Sequence, residues 1–596
     1  MKHYLKSTAK SCLALLALGF CASCTDVWDE HYSVDPSVVP DKSILEILES
    51  NPQTHKFVEV LKTTNTFNGK KMVSPTYYDL LGSDQFLTVW APSDDSESIS
   101  DEEWELYMKK NKTESEHYYV SQRFLNNHIA RFNHPVGREK SVTMMSTKRY
   151  TMRADSTIQH KDYIMTNQAC SNGILHILSD ALEYQPNVYE FITTDAEYYD
   201  AEDTARYSMN LGNFFASYTK YEIDEEKSVQ KGIVDGRIVY ADSVLIEKSL
   251  LLDRFGLINR EDSTYNLILP TGAAWKEAYQ KAAVFYDFGL EEGADSMQWY
   301  WTGNALLTDA FFNMSATSQR YRESYDYFST LMDWDEYYET NKLFHYYFNV
   351  FDRNNEINPA GEFGAPLRSV ECSNGNVYIF DKWPFEPEYT YAVPNVREAE
   401  VTNAGFDAGD LAKTTEAVIR SIKDPSLNIF TSDISRGKLL CIKGGAITDA
   451  WECKFDIDDN LSGWFNIYAV IAPNSINRDV VPAKPNLFTV DISYNDRDPK
   501  AQRTHFQPVN ARKRPIQFSN SLTKMDTIQL NVTLQGTDTV ATPLFIPACS
   551  YDEERAKLSV SIKSAVTSNN TRTNSNTMLL DCIIVEPTEA PAEVEE

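Results

Sequence analysis

Between residues 43 and 61, apolar side chains recur three and four positions apart: Ile44, Ile47 and Leu48, then Phe57, Val60 and Leu61. That spacing puts each set on one face of a helix. Ser43 stands before the first set as an N-cap, and Glu46 occupies the third following position, where a capping box places its acid. The period then changes. Phe86-Leu-Thr-Val-Trp-Ala-Pro92 is a β-branched and aromatic run that favours a strand, and Pro92 stops it because proline lacks a backbone donor. Cys170-Ser-Asn-Gly173 reads as a tight turn, since glycine reaches positive φ without penalty. The apolar run at 174–178 after it reads as a buried strand.

All three landmarks return in the same order. Asn187-Val-Tyr-Glu190 follows the first by 144 residues, Thr264-Tyr-Asn-Leu-Ile-Leu-Pro270 follows the second by 178, and Cys372-Ser-Asn-Gly375 follows the third by 202. The growing offset implies a second copy carrying insertions of 34 and 24 residues. Three ordered motifs seldom repeat by chance, so the pattern predicts two tandem units of one fold.

From about residue 396 short apolar runs alternate with polar turns. They begin at Lys438, Trp451, Trp464, Asn486, Thr527, Lys557 and Met578. Seven or more strands with few helical stretches predict an antiparallel sandwich. The expected order is an export signal at 1–23, an acidic linker at 24–42, repeat units at 43–185 and 186–395, a sandwich at 396–588 and an acidic tail at 589–596.

The first 23 residues have the three regions of a secretory signal. Lys2, Lys6 and Lys10 are positive, 12–20 is apolar, and Ala22-Ser23 puts small residues before Cys24. The apolar stretch is too short to span a bilayer. Cleavage before Cys21 would put bulky Phe20 in a subsite for small residues, so Cys24 is the better candidate. The alternative is an ordinary signal for soluble secretion.

The net charge of -30 becomes -33 once the three lysines leave with the signal. Such an acidic surface repels phosphate backbones, which argues against nucleic-acid partners. Hydrophobic content of 42% with 34 Tyr, 29 Phe and 10 Trp is ample for packed cores. After Cys24 the cysteines are Cys170, Cys372, Cys441, Cys453, Cys549 and Cys582, too few for a disulfide scaffold in so long a chain. Bridges from Cys441 to Cys453 or from Cys549 to Cys582 remain open beside buried thiols.

Chemistry is harder to find. The sequence has no G-x-S-x-G, H-E-x-x-H, phosphate-binding loop or dinucleotide glycine fingerprint, and it nominates no cofactor. Asp456-Ile-Asp458-Asp-Asn460 opens like a calcium loop, but Leu461 stands where glycine is needed and Ile467 where the closing glutamate belongs. It reads as a solvated turn, and no metal site is expected. With 86 acidic residues, no carboxylate pair stands out for glycoside hydrolysis. Trp299, Tyr300 and Trp301, with Tyr321, Tyr325, Tyr327, Trp334 and Tyr337, read either as a stacking platform or as the core of an insertion, the core being favoured.

Some residues carry resemblances. Thr88-Val-Trp-Ala-Pro-Ser93 and Asn172-Gly-Ile-Leu-His-Ile-Leu178 resemble the two signatures of fasciclin-type domains. Phe124-Leu-Asn-Asn-His128-Ile resembles their central helical segment, whereas Phe311-Phe-Asn-Met in the second copy has no matching histidine. The resemblance implies a fold of α+β fasciclin-like domains, two in tandem. His128 alone is read as a hydrogen-bonding residue of the fold rather than a ligand. Arg397-Glu-Ala-Glu400 and the closing 580–587 stretch resemble the first and last strands of jelly-roll, carbohydrate-binding-like modules. They imply an all-β jelly-roll-like sandwich. The segment before Cys24 resembles a bacterial lipobox, with Cys21 where leucine is usual, and Asp26, Asp29 and Glu30 resemble the export tag of surface lipoproteins.

The resemblances imply a lipoprotein lipidated at Cys24 and held to the outer membrane facing outward. Without catalytic motifs, the expected role is non-enzymatic binding of a glycan, peptide or protein partner. By resemblance this is accessory to an outer-membrane nutrient importer complex or to adhesion. The alternatives are an extracellular glycan hydrolase with its site in the last domain, and a spacer that scaffolds a surface complex.

Overall fold

The computed structural model describes residues 40–68, 71–153, 157–223, 229–234, 237–242, 245–314, 327–329, 346–352, 354, 356–400, 415–421, 434–444, 450–457, 459–476, 482–549 and 558–591. Cys24, the signal, nearly all of the linker, Tyr321, Tyr325, Trp334, Tyr337 and Asp458 lie outside them. The chain divides into two compact units. One holds Met1–Phe191, Tyr218–Tyr265 and Val370–Val377; the other holds Ile192–Ser217, Asn266–Ser369 and Tyr378–Glu596.

The first unit begins with helices Ile44–Ser50 and His55–Thr63. Ser43 and Glu46 form the expected capping box, each side chain binding the other's backbone N–H. Ile44, Leu48, Phe57, Val60 and Leu61 are buried in one core with Val89, Phe124 and Leu175. Against these helices lies a seven-stranded sheet. Its order is Ile129–Arg131, Leu87–Pro92, Gly173–Leu178, Lys161–Cys170, Thr157–Ile158, Arg149–Met152 and Lys140–Thr143. Leu87–Pro92 ends at its proline as expected and pairs in parallel with Gly173–Leu178.

The turn at Asn172-Gly173 fixes both elements. The Asn172 Oδ1 accepts from the backbone of Ile44 at 2.9 Å, and its Nδ2 donates to the carbonyls of Leu81 and Ser83 at 2.8 Å. Gly173 has φ +144, and a Cβ there would lie 1.8 Å from the Leu87 oxygen. The repeated landmark does the same local work. Asn374 Oδ1 accepts from Val188 at 2.9 Å, and its Nδ2 donates to Ile258 and Arg260 at 2.8 Å. Gly375 has φ +147, with the Tyr265 oxygen 1.6 Å from where a Cβ would stand. Asn187 and Glu190 exchange cap bonds of 2.8 and 2.9 Å as the earlier serine and glutamate do. The sequence repeat is therefore a repeat of hydrogen-bonding function.

Within the same unit, Lys148 is buried completely. Its Nζ meets Glu190 at 2.6 Å, Glu261 at 2.7 Å and Ser373 at 3.3 Å. An ammonium in so dry a place requires this much compensation.

The second unit contains helices Leu211–Ser217, Gly272–Ala283 and Ala294–Leu307. Trp299 is 7% exposed and donates to the Ser208 carbonyl at 2.7 Å, which fits the core reading for this tryptophan. The rest of the unit is rich in antiparallel sheet. Thr415–Ser421, Lys438–Gly444, Thr577–Thr588, Gly463–Ala472 and Asp526–Gln529 run in that order, with Asn395–Glu398 added beside Thr577–Thr588 and Leu544–Ile546 beside Gly463–Ala472. A second sheet orders Glu452–Ile457, Leu558–Ser564, Phe488–Tyr494 and Thr504–Phe506. Burial alternates along Glu452–Ile457 and Gly463–Ala472, as strands with one buried face require.

Two expectations need correction, and one open pair of alternatives is decided. The run from Thr527 to Val532 is two strands, Asp526–Gln529 and Val532–Gln535. Asn531 interrupts it because its side chain is taken up by the neighbouring strand, accepting from Ile467 at 2.8 Å and donating to Phe465 at 2.9 Å. Asp456 is in strand Glu452–Ile457 rather than a solvated turn, with Ser559 and Lys454 on its carboxylate at 2.5 and 3.0 Å. Neither open disulfide forms, since Cys453 and Cys582 are buried thiols whose pKa values burial drives upward.

Candidate functional site

Gly463–Ala472 separates two kinds of side chain by its pleat. Phe465, Ile467, Ala469 and Ile471 are buried. Trp464, Asn466, Tyr468 and Val470 point the other way and stay partly exposed. Register extends that outward face across neighbouring strands. Trp464 stands opposite Phe545 on one side and Thr588 on the other, Asn466 opposite Glu586, and Tyr468 opposite Gln529 and Ile584. Directly opposed residues of antiparallel strands share a face, so these side chains form one surface.

The Trp464 and Phe545 rings are 5.2 Å apart and tilted by 50°, and Phe545 is 44% exposed. Gln529 donates its amide to the Asn466 Oδ1 at 2.8 Å. The Tyr468 hydroxyl bonds to Glu586 and Asn466; its burial and the Glu586 charge raise its pKa, so it stays a neutral donor. The face therefore offers two ring surfaces beside an amide pair, a phenol and an exposed carboxylate. Ring faces take the C–H side of a sugar, and amide, hydroxyl and carboxylate groups bind its hydroxyls.

A cavity of about 280 Å³ adjoins this surface in the same unit, lined by Gln280, Val284, Asp287, Gln298, Ser462 and Phe545 among others. Its walls are tied together. The Ser462 hydroxyl donates to the Val284 carbonyl at 2.7 Å and accepts from the Asp287 backbone at 2.9 Å. Cys549 donates to the Asp287 carbonyl at 2.7 Å, and Arg497 meets the Asp287 carboxylate at 3.0 Å.

His128, Glu398, Glu400 and Asp581 are internal. His128 is fully buried. Its Nδ1 bonds to the Phe124 carbonyl at 2.8 Å and its Nε2 accepts from Leu182 at 2.9 Å, so both ring nitrogens are used. Burial lowers its pKa to about 4, keeping it neutral. In the segment singled out at 397–400, Glu398 and Glu400 are 8% and 7% exposed, near Asp581 at 2%. Burial, with the charges of Glu398 and Glu400, raises Asp581 to about 7. Among the described residues no group of three or more His, Cys, Asp or Glu side chains is placed to hold a metal ion. No helix among them is long and apolar enough to cross a membrane.

Sequence reasoning placed Trp464 in a strand without nominating it for binding. The signal was present in its alternation, with Trp, Asn and Tyr on one side and Phe, Ile and Ala on the other. Phe545, Gln529 and the cavity residues gave none, because only strand pairing and tertiary packing bring them there.

No family model matches the chain, and no curated protein matches it. Among solved structures, a pair of fasciclin domains from an insect cell adhesion molecule aligns with 51% of this chain and 90% of its own at 13% identity, with a TM-score of 0.18. A xylan-binding domain of family 22 from Paenibacillus barcinonensis aligns with 33% of this chain and 99% of its own at 9% identity and a TM-score of 0.19. An exo-β-1,3-galactanase from Phanerochaete chrysosporium aligns over 33% of this chain at 13% identity and a TM-score of 0.17, and this chain spans 30% of its length. At such TM-scores these likenesses carry no weight in the functional reading.

Proposed function

We propose that this protein binds a neutral glycan on the outward face of Gly463–Ala472 and its neighbours, and does so without cleaving it. The observation that carries the reading is the ring pair of partly exposed Trp464 and exposed Phe545 beside the Asn466–Gln529 amide pair. Rings set against hydrogen-bonding groups suit a ligand that is apolar on its faces and polar at its edges. A net charge of -30 disfavours acidic polysaccharides. A hydrolase would need two reachable carboxylates. The raised pair Glu398 and Asp581 is buried, which supports binding over catalysis. Lipidation at Cys24 would hold this face at the outer membrane surface, in an accessory role to nutrient import or adhesion.

The test is retention of the full chain by neutral hexasaccharides of glucose, xylose and galactose immobilised on an array. Capture by at least one, lost in Trp464→Ala, supports the proposal; no capture by any of them ends it. Palmitate labelling of wild type and Cys24→Ala tests the anchor separately, with label expected in the wild type alone.

A further inference from the structure

We infer that the cavity beside the outward face is a second sugar subsite, taking one neutral ring of the same glycan; this rests on the glycan reading above. Three observations lead there. The first is shared membership. Phe545 both pairs with Trp464 on the face and lines the cavity, so the two surfaces are continuous at one exposed ring. A glycan lying on Trp464 has its next ring directed across Phe545 or away from it, and the cavity receives the first course.

The second observation is unspent hydrogen-bonding capacity. Gln298 gives its amide N–H to the Ala283 carbonyl at 2.9 Å, and its Oε1 has no partner among the described residues. That bond fixes the side chain and leaves an acceptor aimed by the helix. Gln280 lies one helical turn before Val284 and lines the cavity, and its amide likewise has no partner among the described residues. Two amides supply donors and acceptors without charge, which matches sugar hydroxyls rather than an ionic group. The Asp287 carboxylate is occupied by Arg497 and by the Gly289 backbone at 2.8 Å, so the cavity carries no unpaired cation to call for an anionic ligand.

The third is rigidity and size. The hydrogen bonds of Ser462 to Val284 and Asp287 join the helical and sheet walls, so the subsite exists before the ligand arrives. At about 280 Å³ and open to one side, the cavity has room for a single sugar ring whose neighbours lie outside it. The face reads several rings by stacking; the cavity adds one ring read by hydrogen bonds.

The experiment is isothermal titration of the full chain with whichever neutral hexasaccharide the array retains, comparing wild type, Trp464→Ala and Gln280→Ala/Gln298→Leu. Thermal unfolding confirms that each is folded. Should the double variant be destabilised, Gln280→Trp, at an exposed position, blocks the cavity mouth instead. The expected result is about a tenfold loss of affinity in the cavity variant, as for removal of a few ligand hydrogen bonds. A cavity variant equal to wild type, with Trp464→Ala still impaired, overturns the subsite and leaves the face intact. Binding unchanged in Trp464→Ala overturns the face reading and this inference with it.

Discussion

The first unit and the outward face of the second use polar side chains in opposite ways. In the first, His128 spends both ring nitrogens on backbone groups, and Asn172 makes three bonds that tie a helix start and a loop to a strand turn. On the face of Gly463–Ala472, rings and amides are held in place but keep surfaces and acceptors open. Polar groups that close on the protein itself are architecture. Polar groups that are fixed and still unsatisfied are where a ligand has something to gain.

The sharpest way to break this contrast is to attack the architecture. Gly173→Ala puts a Cβ 1.8 Å from the Leu87 oxygen at φ +144, which no side-chain movement relieves. The expected loss is above about 4 kcal/mol, read as a chain that no longer unfolds cooperatively on heating or in denaturant. His128→Ala comes next, stranding the Leu182 N–H in a dry core and opening a cavity. About 2–4 kcal/mol should be lost in chemical denaturation, with no change in glycan affinity. Altered affinity in this variant would contradict the assignment of His128 to architecture.

A smaller effect sharpens the comparison inside the second unit. Asp581 has a folded pKa of about 7 against an ordinary value of 3.8, so between those limits the fold keeps a proton that the unfolded chain has released. Stability linked to this group therefore falls as pH rises through the window. Asp581→Asn removes the dependence while keeping an acceptor for the Ser435 N–H. In chelator-treated buffer the variant should melt a few degrees above wild type at about pH 8 and level with it at about pH 4. Parallel melting curves across that range would show that Asp581 is not held in its protonated form.

Much of the architecture was legible in the residues. Ser43 with Glu46, the strand ending at Pro92 and the paired Asn-Gly turns are local signals, and each does the local work expected of it. The strand at Thr527 was legible only up to Gln529, because Asn531 answers to a neighbouring strand distant in sequence. The thiol state of Cys453 and Cys582 was similarly out of reach, since spacing says nothing of which cysteines meet. For the candidate site, the alternation from Trp464 to Ile471 was readable as a pleat with one aromatic outward face. Phe545 and Gln529 were not, because register alone brings them opposite Trp464 and Tyr468.

The central claim, that this outward face is built for a glycan and not for the fold, is tested most directly at Trp464. Titration of Trp464→Ala with the retained hexasaccharide should show at least about a thirtyfold loss of affinity in a chain that still unfolds cooperatively and loses no more than the roughly 1–3 kcal/mol that truncating a partly buried ring costs. Full affinity in a folded Trp464→Ala, or a loss of stability large enough to explain the loss of binding, would contradict it.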